Sequence, residues 1–568
     1  MRLDKLTIGS AKDSPTHQFK NLKNVTIDFD QDHWVTVVIG WNGTGKSNVL
    51  EALAIIFRDL ITMKRMPAFA FELSYRIGTG ESLFHVYISS DPDRKADPIQ
   101  FYVGNAQDIE QIKNTKQHET LGYLFEANSE VKKKLNKARI HLLDFLKDDC
   151  KYLPRYVFGY YSGESTRMRD IFRPYLEKYD SKLRNGEDPG LKRLFYAMPV
   201  HSQFVLLAFL FQQSDMVRAF LDDHLGLDPD EGIESVLFVL RQPPWKSKAA
   251  DGDPRFWNAR GVVRDFLSRL YDIALAPVDI SRRVSTSIWN KKTLQFKYLY
   301  VKDIAALRRL VGNQAPAQFF RDLESTYVSE LIEEVRIRVR LKKNDGSVTF
   351  RELSEGEQQL LTVLGLLRFT AEDESLFLLD EPDTHLNPRW CVDYLSYLKS
   401  FVGQNNEGED NSHIVLTTHN PLAIAELVKE QVQILYRDSG ARTVHSENPA
   451  MDPKGMGFAG IITSDMFGLG SSLDKATNTD LLSLHQLSTQ ATLSDTDREE
   501  LVAVRQRLEG LDFNFGSRDR LEQEYLRARF DLAADGEIGG AIVTPENKQK
   551  ALDALVQSLL SSLQGDRR

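Results

Sequence analysis

Residues 40–47 read GWNGTGKS, and this string limits what the 568-residue chain can fold into more than any other. It satisfies G-x-x-x-x-G-K-[ST] at Gly40, Gly45, Lys46 and Ser47. Before it runs WVTVVIG (34–40), continuously apolar, as in a strand buried on both faces. After it, Leu50, Leu53, Ala54 and Phe57 recur at spacings of three and four, which marks one apolar helical face. In a strand–turn–helix of this kind the glycines let successive backbone N–H groups turn onto phosphate oxygens. The helix N-terminus adds partial positive charge. Gly40, Asn42, Gly43, Thr44, Gly45, Lys46, Ser47 and Asn48 are therefore candidate nucleotide contacts, with Lys46 against the β- and γ-phosphates and the Ser47 hydroxyl on magnesium.

A second signal lies far along the chain, where the apolar segment SLFLL (375–379) ends in Asp380-Glu381. Open α/β sheets place ligands at the carboxyl ends of parallel strands. Asp380 is the candidate for the magnesium shell, and Glu381 for orienting and deprotonating an attacking water. A third is LSEGEQQ (353–359) ahead of an apolar helix, with Ser354 as N-cap and Glu357 completing a capping box. By itself this is a helix start, but one helix and a turn separate Gly356 from Asp380.

In this order GWNGTGKS, LSEGEQQ, LFLLDEPDTHLNP and IVLTTHNP resemble the Walker A, signature, Walker B with D-loop, and switch-histidine segments of ABC-type ATPases. The long insert and the form LSEGEQQ are similar to the SMC, RecF and OLD branch. The resemblance implies ATP and Mg2+ as cofactors and a dimer closing around them. It implies Ser354 and Gly356 at the γ-phosphate of an ATP held by the other subunit, Glu357 among the nucleotide-binding residues, Asp383 in an inter-subunit loop, and His419 as γ-phosphate sensor, catalytic with Glu381. One departure is plain: the segment SGEST after the strand at 155–161 supplies no glutamine, so the side chain completing the magnesium shell stays open. DDHLGLD (222–228), FWNARGVVRDFL (256–267) and ITSDMFGLGSSLD (462–474) resemble the Septu ATPase family, including retron-associated versions. That likeness implies bacterial anti-phage defence, a separate HNH-type nuclease as partner, and DNA or a phage-derived trigger as further ligands. The alternative is a RecF- or SMC-like repair or chromosome ATPase, disfavoured by the lack of sustained heptads and of a Cys-x-x-Cys hook. A transporter subunit is disfavoured by the insert and the missing glutamine.

The expected fold class is α/β: an ABC-type head with a mixed sheet, flanking helices and an antiparallel β subdomain, plus a helical insertion and a helical C-terminal lobe. Its expected parts are a first head segment (1–162), a mostly helical insert (163–334), a second head segment (335–445) and a partner-binding helical region (446–568), since one core stops growing at roughly 250–300 residues. VRIRVRLKK-NDG-SVTFREL reads as a hairpin, and a capped helix is predicted from Ser494 or Asp495. No apolar run approaches the roughly 20 residues of a membrane span and no secretory stretch opens the chain, which predicts a cytoplasmic protein without a membrane partner. Cys150 and Cys391 are predicted as buried fillers. A net charge of −9 confines any nucleic-acid contact to local patches. Arg336, Arg338, Arg340 and Lys342 on one strand face are one such patch; Lys132, Lys133, Lys134, Lys137 and Arg139 on a helix are another. Each reads more simply as a solvated face. Tyr156, Phe158, Tyr160 and Tyr161 are predicted as core and rim. The clustered acids of a Toprim nuclease are not found, so no intrinsic nuclease is expected.

Overall fold

The computed structural model describes residues 1–120, 138–209, 211, 214–247, 249–285, 291–342, 347–370, 374–402, 411–438, 443–469, 471–489, 494–509, 511 and 553. It divides into two compact units, residues 1–461 with 465–467, and residues 462–464 with 468–568.

The first unit is built on a seven-stranded sheet. Its spatial order is Val444–Glu447, Val432–Arg437, Val35–Gly40, Ser412–Thr417, Ser375–Asp380, Tyr156–Tyr161 and Leu194–Tyr196. Every neighbouring pair is parallel except the edge strand Val444–Glu447. The apolar runs read from sequence are its central strands, and alternate residues feed opposite cores. Val38, Val157, Leu376, Leu378 and Val415 pack with the helix Lys46–Ile61. Val37, Ile39, Phe158, Phe377 and Leu416 pack with the helices of the insert and the helix Glu355–Thr370. Phe158 stacks on Phe377 at 4.8 Å.

A six-stranded sheet contains the expected meander, Phe71–Ile77, Phe84–Ser90 and Ile99–Gly104, joined to Arg2–Ile8 and Val25–Asp28. Besides helices such as Val200–Phe209, Gly261–Ile273 and Pro316–Val328, the insert supplies three long strands that the sequence pattern did not single out: Ile233–Arg241, Leu275–Ser285 and Lys291–Val301. These join the hairpin Ile332–Arg340/Ser347–Thr349 in one antiparallel sheet. The insert and the head mesh tightly where Gly365 faces helix Val200–Phe209, since a Cβ there would lie 2.1 Å from Val205 Cγ1.

In the second unit the helices Lys475–Thr489 and Asp495–Glu509 pair through Leu484, Leu487, Leu501, Val504 and Leu508. Ser494 caps the latter, its hydroxyl accepting from Asp497 N at 3.2 Å. Cys391 is buried, whereas Cys150 is only half-buried because it sits at a short turn with its thiol on Leu146 O. Of the second basic cluster, Lys132, Lys133, Lys134 and Lys137 lie outside the described residues, as does the Asn-Asp-Gly turn at 344–346. No described helix is long and apolar enough to cross a membrane.

Candidate functional site

The loop after Val35–Gly40 requires left-handed backbone at Gly40, Gly43 and Gly45 (φ 145°, 83° and 108°). Space is also short: a Cβ on Gly40 would lie 2.3 Å from Leu435 O, and one on Gly45 2.9 Å from Leu22 Cδ2. The turn is closed by Thr44 Oγ1 donating to Trp41 O at 2.8 Å. Lys46 opens the helix, is 6 % exposed, and donates from Nζ to Gly40 O at 2.8 Å. Burial pushes the Lys46 ammonium pKa down, against the opposing pull of Glu381 and Asp380.

Three parallel strands deliver their carboxyl ends to this loop. Ser47 Oγ donates to Asp380 Oδ1 at 3.0 Å, and Thr417 Oγ1, from the adjacent strand, donates to the same oxygen at 2.5 Å. Burial raises the Asp380 carboxyl pKa, while the Thr417 and Ser47 bonds hold it back. Glu381, the next residue, takes a left-handed φ of 52°, a conformation costing a β-carbon-bearing residue roughly 1–3 kcal/mol. Its N–H donates to Thr417 O at 3.1 Å, and its Oε1 lies 2.6 Å from His419 Nε2. That hydrogen bond holds the Glu381 carboxyl below the ordinary glutamate range, the partial burial of the group opposing it.

Lys46, Ser47, Glu381 and His419 line a cleft of about 310 Å³ with Asn42, Gly43, Gly45, Asn48 and three contributors that the sequence did not single out, Lys20, Asn21 and Arg167, while Asp380 and Thr417 reach it through Ser47. Asn21 Nδ2 donates to Gly43 O and Thr44 O at 3.1 and 3.0 Å, clamping the loop from outside. Lys20 pairs with Glu51 of the same helix and donates to Asn48 Oδ1 at 3.1 Å, and Arg167 reaches Glu51 at 3.6 Å. Glu51 thus stations two cations at the mouth of a phosphate-sized cleft. A polar loop and a helix start carry no periodic signal, which is why only the fold shows them.

Ser354, Gly356, Glu357 and Asp383 lie elsewhere. Ser354 and Glu357 form the full capping box, Glu357 N donating to Ser354 Oγ at 3.2 Å and Ser354 N to Glu357 Oε2 at 2.7 Å. Ser354 is exposed, and neither it nor Glu357 lines the cleft. Gly356 is needed because a Cβ would sit 2.5 Å from His385 O. Asp383 is turned inward to Thr418 Oγ1 at 2.8 Å, and burial raises its carboxyl pKa.

Two family models match the chain. One is an AAA ATPase domain over residues 17–167, the other an AAA domain described with the AbiEii toxin of a type IV TA system, over residues 234–425. The Septu protein PtuA of Bacillus mycoides (strain KBAB4) is 26% identical over 157 residues, covering 26% of this chain and 21% of that protein. The Retron Vc95 probable ATPase of Vibrio cholerae (serotype O1 biovar El Tor) is 26% identical over 127 residues, 19% of this chain and 23% of that one. The matched region therefore spans less than a quarter of the length of either relative. The SMC head domain from Thermotoga maritima overlays 79% of this chain and 99% of its own at 13% identity and a TM-score of 0.30, too distant to bear on function.

Proposed function

We propose that this chain, which AAA ATPase family models match over residues 17–167 and 234–425, binds ATP with Mg2+ and hydrolyses it to ADP and phosphate. One observation carries the reading: Ser47 and Thr417 converge on Asp380 Oδ1 beside the Glu381–His419 pair, all at the mouth of a glycine-rich loop. The Ser47 hydroxyl and Asp380 carboxylate are hard oxygen donors of the kind Mg2+ takes, and they would hold it. When bound, the ion neutralises charge on the phosphates. Lys46 stabilises the phosphate charge. Glu381, fixed by His419, orients a water and takes its proton as the water oxygen attacks the γ-phosphorus and the bond to the ADP oxygen breaks.

In the same proposal the active form is a cytoplasmic dimer. The Ser354 cap is an exposed anion-attracting helix start outside the cleft of its own chain, so a second subunit would bring it to the γ-phosphate together with Gly356 and Asp383. The short matches to a Septu protein and a retron ATPase support a role in anti-phage defence; in the same reading the ATPase regulates a separate HNH-type nuclease and holds no nuclease activity itself. DNA or a phage-derived trigger would set the switch, and the region from residue 446 to 568 is the proposed nuclease dock. Mixing Lys46→Ala chains with Ser354→Arg chains tests the shared site, because each mixed dimer rebuilds one complete set. Partial recovery of phosphate release is expected. A dead mixture, with subunit exchange demonstrated and both variants folded, overturns the dimer.

A further inference from the structure

One face of the insert's antiparallel sheet is packed, and the other is exposed along its edge strand Leu275–Ser285 and at Tyr300. Val236, Phe238, Leu240, Leu299, Val335 and Ile337 point into the core. On the other face the register sets Leu275 against Tyr300, Val278 against Tyr298, Tyr300 against Leu237, and Leu237 against Arg336, with Arg338 beside Ser235. Large apolar groups stand in water there: Leu275, Val278, Ile280 and Tyr300 are 56 %, 47 %, 41 % and 39 % exposed. The Arg282 guanidinium lies 5.2 Å over the Tyr298 ring. Glu334 on this face is shared by two arginines, Arg336 at 2.8 Å and Arg351 at 2.9 Å, which leaves the patch cationic.

We propose that this face binds single-stranded nucleic acid, with a base stacked on Tyr300 beside Leu275, Val278 and Ile280 and phosphates against Arg336 and Arg338. An exposed tyrosine in an apolar strip flanked by arginines matches the two halves of a nucleotide, a flat apolar base and an anionic phosphate. A duplex hides its base faces and would leave Leu275, Val278 and Ile280 uncovered. In a chain of net charge −9 a local cationic strip is also where a polyanion is drawn. The inference does not rest on the ATPase reading.

The test is anisotropy of labelled oligothymidine, about 20 nucleotides long, and of a matched duplex, titrated with the full chain at several salt concentrations. The single strand is expected to bind, with the duplex at least roughly tenfold weaker. Tyr300→Ala should weaken single-strand binding about 5- to 100-fold, the worth of one stacked base. Arg338→Ala should weaken it and lower the salt slope by about one. Both variants keep their melting temperature and ATP binding, which separates this failure from a failure of the ATPase proposal. The proposal is overturned if no oligonucleotide binds, or if the duplex binds equally and Tyr300→Ala is silent. It is also overturned if Tyr300→Ala abolishes capture of the purified HNH protein while oligonucleotide binding stays intact.

Discussion

Asp380 and Asp383 are both 4 % exposed, and burial raises both carboxyl pKa values, yet they belong to different machinery. The neighbouring strand ends in two threonines whose side chains diverge, Thr417 bonding Asp380 and Thr418 bonding Asp383. Asp380 also meets Ser47, which lines the cleft, and so joins the phosphate loop; Asp383 is held by Thr418 instead. Residue type and burial alone do not make a site. Position at the strand's carboxyl end decides which acid meets the phosphate loop.

The largest effect should come from the residue between them. Glu381→Gln is expected to slow hydrolysis about 10²- to 10⁴-fold while ATP affinity is kept, whereas Lys46→Ala loses ATP binding. Phosphate release and labelled-ATP titration check this, and equal affinity losses would remove Glu381 from the role of base. The two threonines sharpen the comparison directly. Thr417→Val should raise the Mg2+ requirement for hydrolysis about 10- to 100-fold, as loss of a group orienting a ligand does. Thr418→Val should leave that requirement alone and cost about 1–3 kcal/mol in urea unfolding, the price of a buried carboxyl losing its donor. If both variants shift the Mg2+ titration alike, the division between the acids fails.

A subtler effect is expected from His419→Ala. His419 keeps the Glu381 carboxyl below its ordinary range, so the ionised base survives to lower pH in the folded chain. Without the histidine the acid limb of the rate profile should move to higher pH; a limb that stays in place would mean another group governs it. Smallest of all, Ser354→Ala should cost about 1 kcal/mol of stability through loss of the helix cap, keep ATP binding at the Lys46 loop of a single chain, and weaken only the ATP-dependent association of two chains.

What the sequence displayed was what has local pattern. Apolar runs marked the strands around Asp380 and Thr417, and the loop at 40–47 carried its own glycine signal. The partners from afar had no such mark. Asn21 and Lys20 sit in a polar loop, and Arg167 opens a helix whose first turn looks ordinary, so only tertiary folding brings them to the cleft. The strand Lys291–Val301 was hidden because KKTLQ is polar on both faces beyond the sheet's core, and its neighbour Ile233–Arg241 lies far away along the chain. The placement of Asp383 was equally invisible: DEPD puts two aspartates close together, but which way each turns depends on the adjacent strand.

The missing side chain at Gly365 makes the insert and the Ser354-capped helix behave as meshed gears without clearance. Where long side chains separate two helices, rotamers can absorb a small displacement. Against Val205 there is nothing to rearrange, and close-packed interiors transmit strain. A shift of helix Val200–Phe209 is handed to the helix carrying Gly365, and through it to the cap about 16 Å along its axis at the usual rise per residue. A side chain at position 365 would therefore push the insert's helix off the one that Ser354 caps.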